Sequence, residues 1–436
     1  MQNLGLTASV KTFGCQMNAR ESEIISEALY KMGFDLIEDE KNADVVIYNT
    51  CTIRAKAEAR IMGRLASFKN KPASQIIAVC GCAAARPEAQ ELLRKFPFVN
   101  LIFGTSNKLD FIRLLENILK TPTELRIQTF AKENGDFLET PILGIRAVKH
   151  KASVIVAEGC DNFCSYCIVP YVKGRERKRP YSVILDEVRA LASDGAKEIC
   201  LLGQNVNSYV CPQSGADFAD LIRGVAAIHG LLRLRFVTSH PKDLSNRLID
   251  AIRENPNVAR HIHLPLQSGS SKILKKMNRK YDKETYLERA AALREIPDFQ
   301  ITTDIIIGFP GETDEDFLET CEVLKQVKFS GAFTFIYSPR EGTPAAKEPP
   351  IPPQIARERF DELIKILRPI EKQVHETAIG RSLQVLTDAP GKRSGEWVGR
   401  SHENFLTHFS GESEVGKLEN VLIKSADYFY LTGIKK

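Results

Sequence analysis

The chain has 436 residues, of which 43% are hydrophobic and 26% are charged, and its formal net charge is +5. This composition is typical of a soluble globular protein of about three domains, and a chain this long needs no disulfide framework. The small positive charge does not by itself identify a nucleic-acid-binding protein. No signal peptide is evident, and no apolar run approaches the ~18 residues that span a bilayer. We therefore expect no membrane partner and a reducing, cytoplasmic location.

Strand-like and helix-like stretches alternate between Thr7 and about Lys120. The predicted strands are short and rich in Val, Ile and Phe, and they are Ala8–Phe13, Ala43–Asn49, Gln75–Val79 and Val99–Phe103. Amphipathic stretches such as Glu21–Met32 and Ala55–Phe68 lie between them. This alternation predicts a doubly wound α/β domain, in which the reactive crevice lies beyond the C-terminal ends of the strands.

Three cysteines that are distant in sequence fall at those strand ends. Cys15 and Cys51 each follow a predicted strand, and Cys82 follows the third one. We therefore expect the three thiols to converge at one edge of the sheet. Within VCGC, Cys82 lies past the strand end beside Gly81 and is favoured over Cys80, which more simply packs inside the strand.

The stretch from Thr121 to His150 lacks periodicity and is typical of a linker. After it, strand signals recur and alternate with helical stretches such as Ile184–Ala192, Lys283–Leu293 and Asp314–Val327. The strand signals are Ala152–Ala157, Glu198–Leu202, Leu232–Thr238, His261–Leu264, Thr302–Ile307 and Ala332–Tyr337. This pattern predicts a partial (β/α)6 barrel, whose chemistry gathers at the C-terminal strand ends.

A compact cysteine motif lies on the loop after the first barrel strand. Cys160, Cys164 and Cys167 form a C-x3-C-x2-C run, although the chain has only ten cysteines in 436 residues. Chance would produce this spacing about 0.005 times per such chain. Zinc motifs usually pair C-x2-C with a second pair downstream, and none follows here. Uneven short spacings suit iron–sulfur ligation, so we favour a cluster over zinc or buried, inert thiols.

The basic run Lys173–Arg179 directly follows the cysteine loop. Such a run is usually a solvated face, but its position beside the reactive centre makes phosphate contacts an equal alternative.

The histidines show no metal-ligand spacing, and His261 and His263 are most simply ordinary strand residues. Cys200 and Cys321 are best explained by packing, while the sequence assigns no role to Cys211.

The Pro-rich stretch Glu348–Pro353 ends the barrel, and a helix is predicted over Ile355–Glu376. Short strands then return at Leu383–Thr387, Glu396–Gly399, Asn404–Phe409, Lys417–Lys424 and Tyr428–Leu431. Five strands in so short a segment predict a small OB-like barrel, an architecture that often binds oligonucleotides. Its candidate RNA-contacting side chains are Arg381, Lys392, Arg393, Arg400, Trp397, Phe405 and Phe409, the last two being more simply core residues.

The string EGCDNFCSYC resembles the signature of radical S-adenosylmethionine enzymes. Together with KTFGCQMN, NTCTIR and the C-terminal barrel, the resemblance narrows to the methylthiotransferases, and LLGQNVNSY, HLPLQSGS and TTDIIIGFPGET favour the MiaB type, which acts on tRNA. It implies an N-terminal methylthiotransferase domain over residues 6–120, a linker over 121–145, a radical core over 146–376 and an RNA-binding TRAM domain over 379–436.

The resemblance also implies the chemistry. Cys160, Cys164 and Cys167 would hold a [4Fe-4S] cluster that cleaves S-adenosylmethionine to a 5′-deoxyadenosyl radical, with no catalytic side chains beyond the cluster ligands. Cys15, Cys51 and Cys82 would hold an auxiliary [4Fe-4S] cluster that carries the sulfur to be delivered. Two S-adenosylmethionine molecules would be used per turnover, one to methylate the sulfur and one to form the radical. The product would carry a methylthio group at C2 of an isopentenyl-modified adenosine beside the anticodon.

Residues at the barrel strand ends are the expected S-adenosylmethionine contacts. They are Gly203, Gln204, Asn205, Gln267, Ser268, Gly269, Gly308, Pro310 and Gly311, and each set could instead form a plain turn. Asp304 lies within the fifth strand; if it faces the barrel interior, it needs a hydrogen-bond partner or a substrate contact.

The expected partners are the anticodon stem-loop of tRNA and a low-potential electron donor such as flavodoxin or ferredoxin, and we expect a monomer. Two alternatives keep the chemistry but change the substrate: the threonylcarbamoyladenosine branch and the branch that modifies a ribosomal protein. A third alternative is a non-catalytic, zinc-bound RNA-binding protein.

Overall fold

The computed structural model describes residues 5–51, 55–85, 89–104, 110–120, 127–129 and 141–436. Contacts divide the chain into two compact units. One comprises Met1–Ala147, Ser153–Asp161 and Ile168–Ala190, and the other comprises Val148–Ala152, Asn162–Cys167 and Leu191–Lys436. Within the described ranges, no helix has the length and apolar character needed to cross a membrane.

The N-terminal part of the first unit is a parallel sheet with helices between its strands. Its strands are β1 (Thr7–Phe13), β2 (Asp35–Leu36), β3 (Val45–Thr50), β4 (Ile76–Gly81), β5 (Leu101–Phe103) and β6 (Ile127–Thr129). Its helices are α1 (Gln16–Lys31), α2 (Ala55–Ala66), α3 (Ala89–Lys95) and α4 (Asp110–Lys120). The strands are ordered β2-β1-β3-β4-β5-β6, so the winding direction reverses between β1 and β3.

Apolar residues cover both faces of this sheet because its buried strands send alternate side chains to opposite sides. Val45 and Ile47 of β3 pack in one core with residues of α1 and α4, whereas Val46 and Tyr48 pack in the other with residues of α2. The four predicted strands therefore exist, with shifted ends. β6 lies inside the predicted linker 121–145, of which residues 121–126 and 130–140 lie outside the described residues.

The cysteine loop lies between short elements that follow this sheet. They are β7 (Lys151–Ile155), β8 (Ala157–Glu158), α5 (Val169–Lys173), β9 (Arg177–Lys178) and α6 (Tyr181–Ser193). β8 pairs with β9 in antiparallel fashion, which holds the two ends of the loop together.

The remaining β/α elements belong to the second unit. Its strands are β10 (Glu198–Leu202), β11 (Arg233–Phe236), β12 (His261–His263), β13 (Gln300–Ile307) and β14 (Gly331–Ile336). Its helices are α7 (Phe218–Ala226), α8 (Asn246–Glu254), α9 (Ser271–Lys276), α10 (Lys283–Arg294), α11 (Asp314–Val327) and α12 (Pro353–Glu376).

These strands follow one another in chain order. The sheets are β11-β10-β7 and β12-β13-β14, and the pairings β10–β11, β12–β13 and β13–β14 are parallel. Val258, just before β12, forms a parallel bridge with Leu234 of β11, which joins the two sheets. The C-terminal strand ends therefore share one edge, and the residues after them lie at that edge.

The C-terminal strands form a closed barrel. They are β15 (Ser382–Pro390), β16 (Glu396–Ser401), β17 (Leu406–Ser410), β18 (Leu418–Ala426) and β19 (Leu431–Lys435), in the order β15-β16-β17-β19-β18. Phe405 and Phe409 lie in its core, as expected from the sequence. The predicted strand Tyr428–Leu431 is wrong, because the backbone N–H of Asp427 bonds the Tyr430 carbonyl at 2.9 Å and closes a turn there.

Candidate functional site

The three N-terminal cysteines meet at one edge of the sheet, as predicted. Phe13 of β1 is paired with Thr50 of β3, and Thr50 is paired with Gly81 of β4. Cys15, Cys51 and Cys82 follow these paired residues within two positions, so neighbouring strands deliver them side by side. Cys15 and Cys51 flank the point where the winding direction reverses, which is where such sheets place their binding crevice.

Gly81 explains why Cys82, rather than Cys80, leaves the strand. Its φ is +93°, a conformation that favours glycine, and a Cβ there would collide with the carbonyl oxygen of Thr50. The chain therefore turns at Gly81 and starts a 3₁₀ turn at Cys82. Cys80 stays inside β4 and packs in the core between sheet and helices. Its packing role is confirmed.

Two buried asparagines tie the loops of Cys15 and Cys51 together. The amide nitrogen of Asn18 donates to Asn49 Oδ1 at 2.9 Å and to the Thr50 carbonyl at 3.1 Å. Its Oδ1 accepts from the Cys15 thiol at 3.2 Å and from the Cys15 backbone N–H at 3.3 Å. We did not predict this role, although a polar residue at the end of a buried strand, as in YNTC, is a usable signal.

A buried ion pair lies near Cys82. Lys173 Nζ of α5 is 2.9 Å from Glu21 Oε1 of α1, and their side chains are 5% and 2% exposed. Cys82 packs against Ile168 and Val172 of the same helical segment. Burial raises the pKa of the Cys82 thiol to about 12, and the Lys173 ammonium opposes that rise. The Glu21 carboxylate acts on the pKa of Cys82 in the opposite direction to Lys173, so the pair adds little net charge beside this thiol.

The prediction that Lys173 and Arg179 contact phosphate is wrong, because both cations are buried in ion pairs. Lys173 binds Glu21, and Arg179 Nη2 is 2.8 Å from Glu187 Oε2 while its Nη1 donates to the Ile155 carbonyl. The sequence of the run Lys173–Arg179 does not reveal these partners, because Glu21 is 152 residues away from Lys173.

The second cysteine set is shaped mainly by local backbone contacts. The backbone N–H of Cys160 donates to the Gly174 carbonyl at 3.2 Å, and that of Cys167 donates to the Cys164 carbonyl at 2.9 Å. Gly159 has φ +82°, and a Cβ there would collide with the carbonyl oxygen of Arg175. Each of these contacts fixes the backbone on which a cysteine sits.

Arg279 donates a hydrogen bond to one of these thiols. Its Nη1 is 3.4 Å from Cys164 Sγ, its Nε donates to the Tyr281 hydroxyl at 3.1 Å, and its Nη2 donates to the Pro265 carbonyl at 3.4 Å. The Tyr281 hydroxyl in turn donates to the Leu266 carbonyl at 2.9 Å. The guanidinium is therefore fixed in orientation, and sequence reasoning missed it because 115 residues separate it from Cys164.

Both cysteine sets fit iron–sulfur ligation in donor chemistry. Thiols of buried or half-buried cysteines make up each set. Among the described residues, no three His, Cys, Asp or Glu side chains are grouped so as to hold a metal ion. A four-iron cluster takes its three thiolates on three different irons, so its ligands stand farther apart than the donors around a single zinc ion.

The predicted S-adenosylmethionine contacts lie after C-terminal strand ends. Gly203, Gln204 and Asn205 follow β10, and Gly308, Pro310 and Gly311 follow β13. Gln267 forms a parallel bridge with Ile305, which brings Gln267, Ser268 and Gly269 beside the end of β13.

Two of these residues carry buried polar atoms that have no partner within the described chain. They are Asn205 Oδ1 and Gln267 Oε1. Gln267 also has φ +67°, an uncommon conformation for a non-glycine residue. Buried acceptors without a partner are rare and point to a ligand.

Ser268 and Gly269 have a packing explanation. The Gly269 N–H donates to Thr320 Oγ1 of α11 at 2.9 Å, and a Cβ on Gly269 would lie 2.5 Å from the Thr320 Cα. Gly308 similarly donates its N–H to the Glu312 carboxylate, at 3.2 Å to Oε2. These residues shape the strand ends, whereas Asn205 and Gln267 present side-chain atoms there.

Asp304 does find a protein partner. Its Oδ2 is 3.4 Å from His263 Nε2 of β12, so His263 is more than an ordinary strand residue.

In the C-terminal barrel, Arg381 pairs with Asp298 at 2.5 Å, and Arg400 donates to the Asn404 carbonyl at 3.0 Å. The exposed cations Lys392 and Arg393 are the remaining candidates for RNA contact on that barrel.

The ordered β/α sheets and the C-x3-C-x2-C loop define a radical S-adenosylmethionine protein. The model of the Radical SAM superfamily matches residues 154–324, and that of Uncharacterized protein family UPF0004 matches residues 7–104. The structure of a radical S-adenosylmethionine methyltransferase, TsrM, from Kitasatospora setae has a similar fold, with a TM-score of 0.61 at 14% identity over 79% of this chain and 77% of that one.

Relatives over nearly the whole chain identify the particular family. The chain is 44% identical to the tRNA-2-methylthio-N(6)-dimethylallyladenosine synthase of Alkaliphilus oremlandii, covering 97% of this chain and 91% of the relative. It is 45% identical to the synthase of the same name from Acetivibrio thermocellus, covering 97% and 90%. The chain belongs to this family of synthases.

Proposed function

We propose that this chain is a radical S-adenosylmethionine tRNA methylthiotransferase, a tRNA-2-methylthio-N6-dimethylallyladenosine synthase. The observation that carries the proposal is the coincidence of two cysteine sets with 44% identity to a named synthase over 97% of the chain. The reaction replaces hydrogen at C2 of an isopentenyl-modified adenosine next to the anticodon with a methylthio group. Transfer of sulfur requires a sulfur source, and a radical enzyme lacking this activity would not need the N-terminal set of Cys15, Cys51 and Cys82.

Six cysteines would hold the two [4Fe-4S] clusters. Cys160, Cys164 and Cys167 would bind the radical cluster, and Cys15, Cys51 and Cys82 would bind the auxiliary one. When bound, the clusters and S-adenosylmethionine would supply a carbon-centred radical and a transferable sulfur.

The chain's own residues orient and shield these ligands. Arg279 donates to Cys164 Sγ and fixes its position, and Asn18 holds Cys15 against the loop of Cys51. Burial of Cys160 and Cys164 excludes water, which protects a reactive radical from side reactions.

S-adenosylmethionine would lie at the C-terminal strand ends of the second unit. Asn205 and Gln267 supply buried acceptors for its donor groups, which supports their assignment as contacts. Gly203, Gln204, Gly308, Pro310 and Gly311 would let the ligand approach the backbone closely. Ser268 and Gly269 would contribute by placing Gln267.

The finer organisation belongs to the same proposal. It comprises a doubly wound domain over residues 6–120, a linker over 121–145, a partial (β/α)6 core over 146–376 and an OB-like TRAM domain over 379–436. The closed C-terminal barrel supports the last assignment. The tRNA anticodon stem-loop would be the macromolecular substrate, flavodoxin or ferredoxin the electron donor, and the enzyme a cytoplasmic monomer.

Nucleoside analysis tests the function. The anaerobically reconstituted protein, S-adenosylmethionine, a reductant and an anticodon stem-loop carrying isopentenyladenosine should yield the 2-methylthio nucleoside after digestion and mass spectrometry. Methylthiolation of threonylcarbamoyladenosine instead, or of a ribosomal protein with unchanged tRNA, would identify another branch. About eight irons per chain would support two clusters, whereas a colourless protein with stoichiometric zinc would overturn the enzyme assignment.

A further inference from the structure

One face of the sheet β12-β13-β14 exposes two phenylalanines. Along β13, Ile301, Thr303, Ile305 and Ile307 are buried, whereas the alternate residues Thr302, Asp304 and Ile306 are half-buried and point to the opposite face. Asp304 is paired with Phe333 of β14, and Ile306 with Phe335, so both rings lie on this second face. Phe333 is 59% exposed and Phe335 is 47% exposed.

Polar side chains on the same face are organised around His263. Its Nδ1 is 3.1 Å from Thr302 Oγ1, and its Nε2 is 3.4 Å from Asp304 Oδ2. The imidazole ring meets Phe333 edge to face, with centroids 5.9 Å apart and planes at 68°. We call His263, Thr302, Asp304, Ile306, Phe333 and Phe335 the aromatic face.

This arrangement fits a planar ligand that has both an N–H donor and an apolar group. Exposed aromatic rings stack on bases of any sequence. Asp304 faces His263 through Oδ2, and its Oδ1 makes no hydrogen bond within the described residues, so Oδ1 can accept from an exocyclic N–H. The carboxylate repels phosphate, which argues against backbone contact here.

We propose that the aromatic face binds the target base of the RNA, an adenine that carries an apolar chain on its N6. The base stacks on Phe333, its N6–H donates to Asp304 Oδ1, and the chain lies over Ile306 and Phe335. The face reaches the end of β13, the strand that precedes Gly308 at the proposed S-adenosylmethionine edge. This inference rests on the proposed function and adds how the substrate is selected.

Binding measurements on the reconstituted holoenzyme test the proposal. The probes are two anticodon stem-loops that differ only in having isopentenyladenosine or adenosine at the target position, with S-adenosylmethionine saturating. Phe333→Ala and Phe335→Ala should each weaken binding of the isopentenyl RNA by roughly tenfold and reduce the preference for it. Asp304→Asn should weaken binding of both RNAs.

Leu318→Ala is the matched control, because Leu318 is 53% exposed on α11 but lies outside the aromatic face. It should leave both affinities unchanged. Phe333→Leu keeps apolar volume but lacks an aromatic ring, so its affinity for the isopentenyl RNA should also fall. This variant controls for the possibility that Phe333→Ala binds weakly only because it is misfolded.

The outcomes separate the inference from the function on which it rests. Unchanged affinity and preference in the Phe333 and Phe335 variants would overturn the inference even if the wild type methylthiolates tRNA. If the Phe333 and Phe335 variants fail to bind S-adenosylmethionine in the absence of RNA, the inference is also overturned, because the aromatic face would then hold the cofactor. A wild type that binds the isopentenyl RNA preferentially but makes no methylthio product would refute the function alone.

Discussion

The buried pair of Glu21 and Lys173 allows a quantitative prediction. The two charges are 2.9 Å apart, and both side chains are almost fully buried, so either charge left alone has little access to water. Removing one partner of such a pair costs roughly 3–5 kcal/mol because the other charge stays buried without compensation. We therefore expect Glu21→Gln and Lys173→Met each to destabilise this unit by about that amount. The double variant should be less destabilised than the sum of the two.

Hydrogen exchange of the protein before cluster reconstitution can measure the loss of stability in these variants locally. Peptides from α1, which carries Glu21, should exchange roughly two to four orders of magnitude faster in each single variant. Trp397 is the chain's single tryptophan and lies in β16 of the C-terminal barrel. Its fluorescence should report an unchanged unfolding midpoint, which separates a local effect from general misfolding.

Two results would refute the reasoning. Costs below about 1 kcal/mol in both single variants would mean that the pair is solvated like a surface ion pair. A double variant whose loss equals the sum of the single losses would mean that Glu21 and Lys173 do not stabilise each other.

Three further predictions concern the cysteine sites. Cys82→Ala should halve the iron content and abolish methylthiolation while S-adenosylmethionine cleavage persists, whereas inactivity of Cys80→Ala instead would reverse the ligand assignment. Gly159→Ala should strain the loop before the second cysteine set because φ is +82°, so iron analysis should show loss of the radical cluster first. Arg279→Gln should lower the midpoint potential of that cluster by up to about 100 mV in an EPR-monitored titration, and an unchanged potential would exclude a tuning role.

The sequence predicted the N-terminal cysteine site because its geometry depends on strand ends. Runs of Val and Ile mark the buried strands, and in parallel strands consecutive ends fall at one edge. The choice of Cys82 over Cys80 followed from its position past the predicted strand end, and the positive φ of Gly81 explains why the strand ends there. Local sequence therefore contained both the strand and the signal that stops it.

The partners of buried charges could not be predicted in the same way. Lys173 and Arg179 look like a solvated basic run, yet each is neutralised by a carboxylate that tertiary packing supplies. Arg279 contacts Cys164 across 115 residues of sequence, and no periodicity links them. The strand predicted over Tyr428–Leu431 was wrong for a related reason. The aromatic residues after Asp427 are typical of a strand, and only the backbone hydrogen bond between Asp427 and Tyr430 shows that they form a turn.

The two cysteine sites differ in the charge that surrounds them. Lys173 near Cys82 is paired with Glu21, so the pair contributes little net charge to that site. Arg279 at Cys164 has neutral partners otherwise, the Tyr281 hydroxyl and the Pro265 carbonyl, so its positive charge acts on the thiol in full. A positive charge favours the more negative state of a neighbouring group. Arg279 would therefore make an electron easier to accept at a cluster bound by Cys160, Cys164 and Cys167, whereas the neutral pair would give no such bias to a cluster bound by Cys15, Cys51 and Cys82.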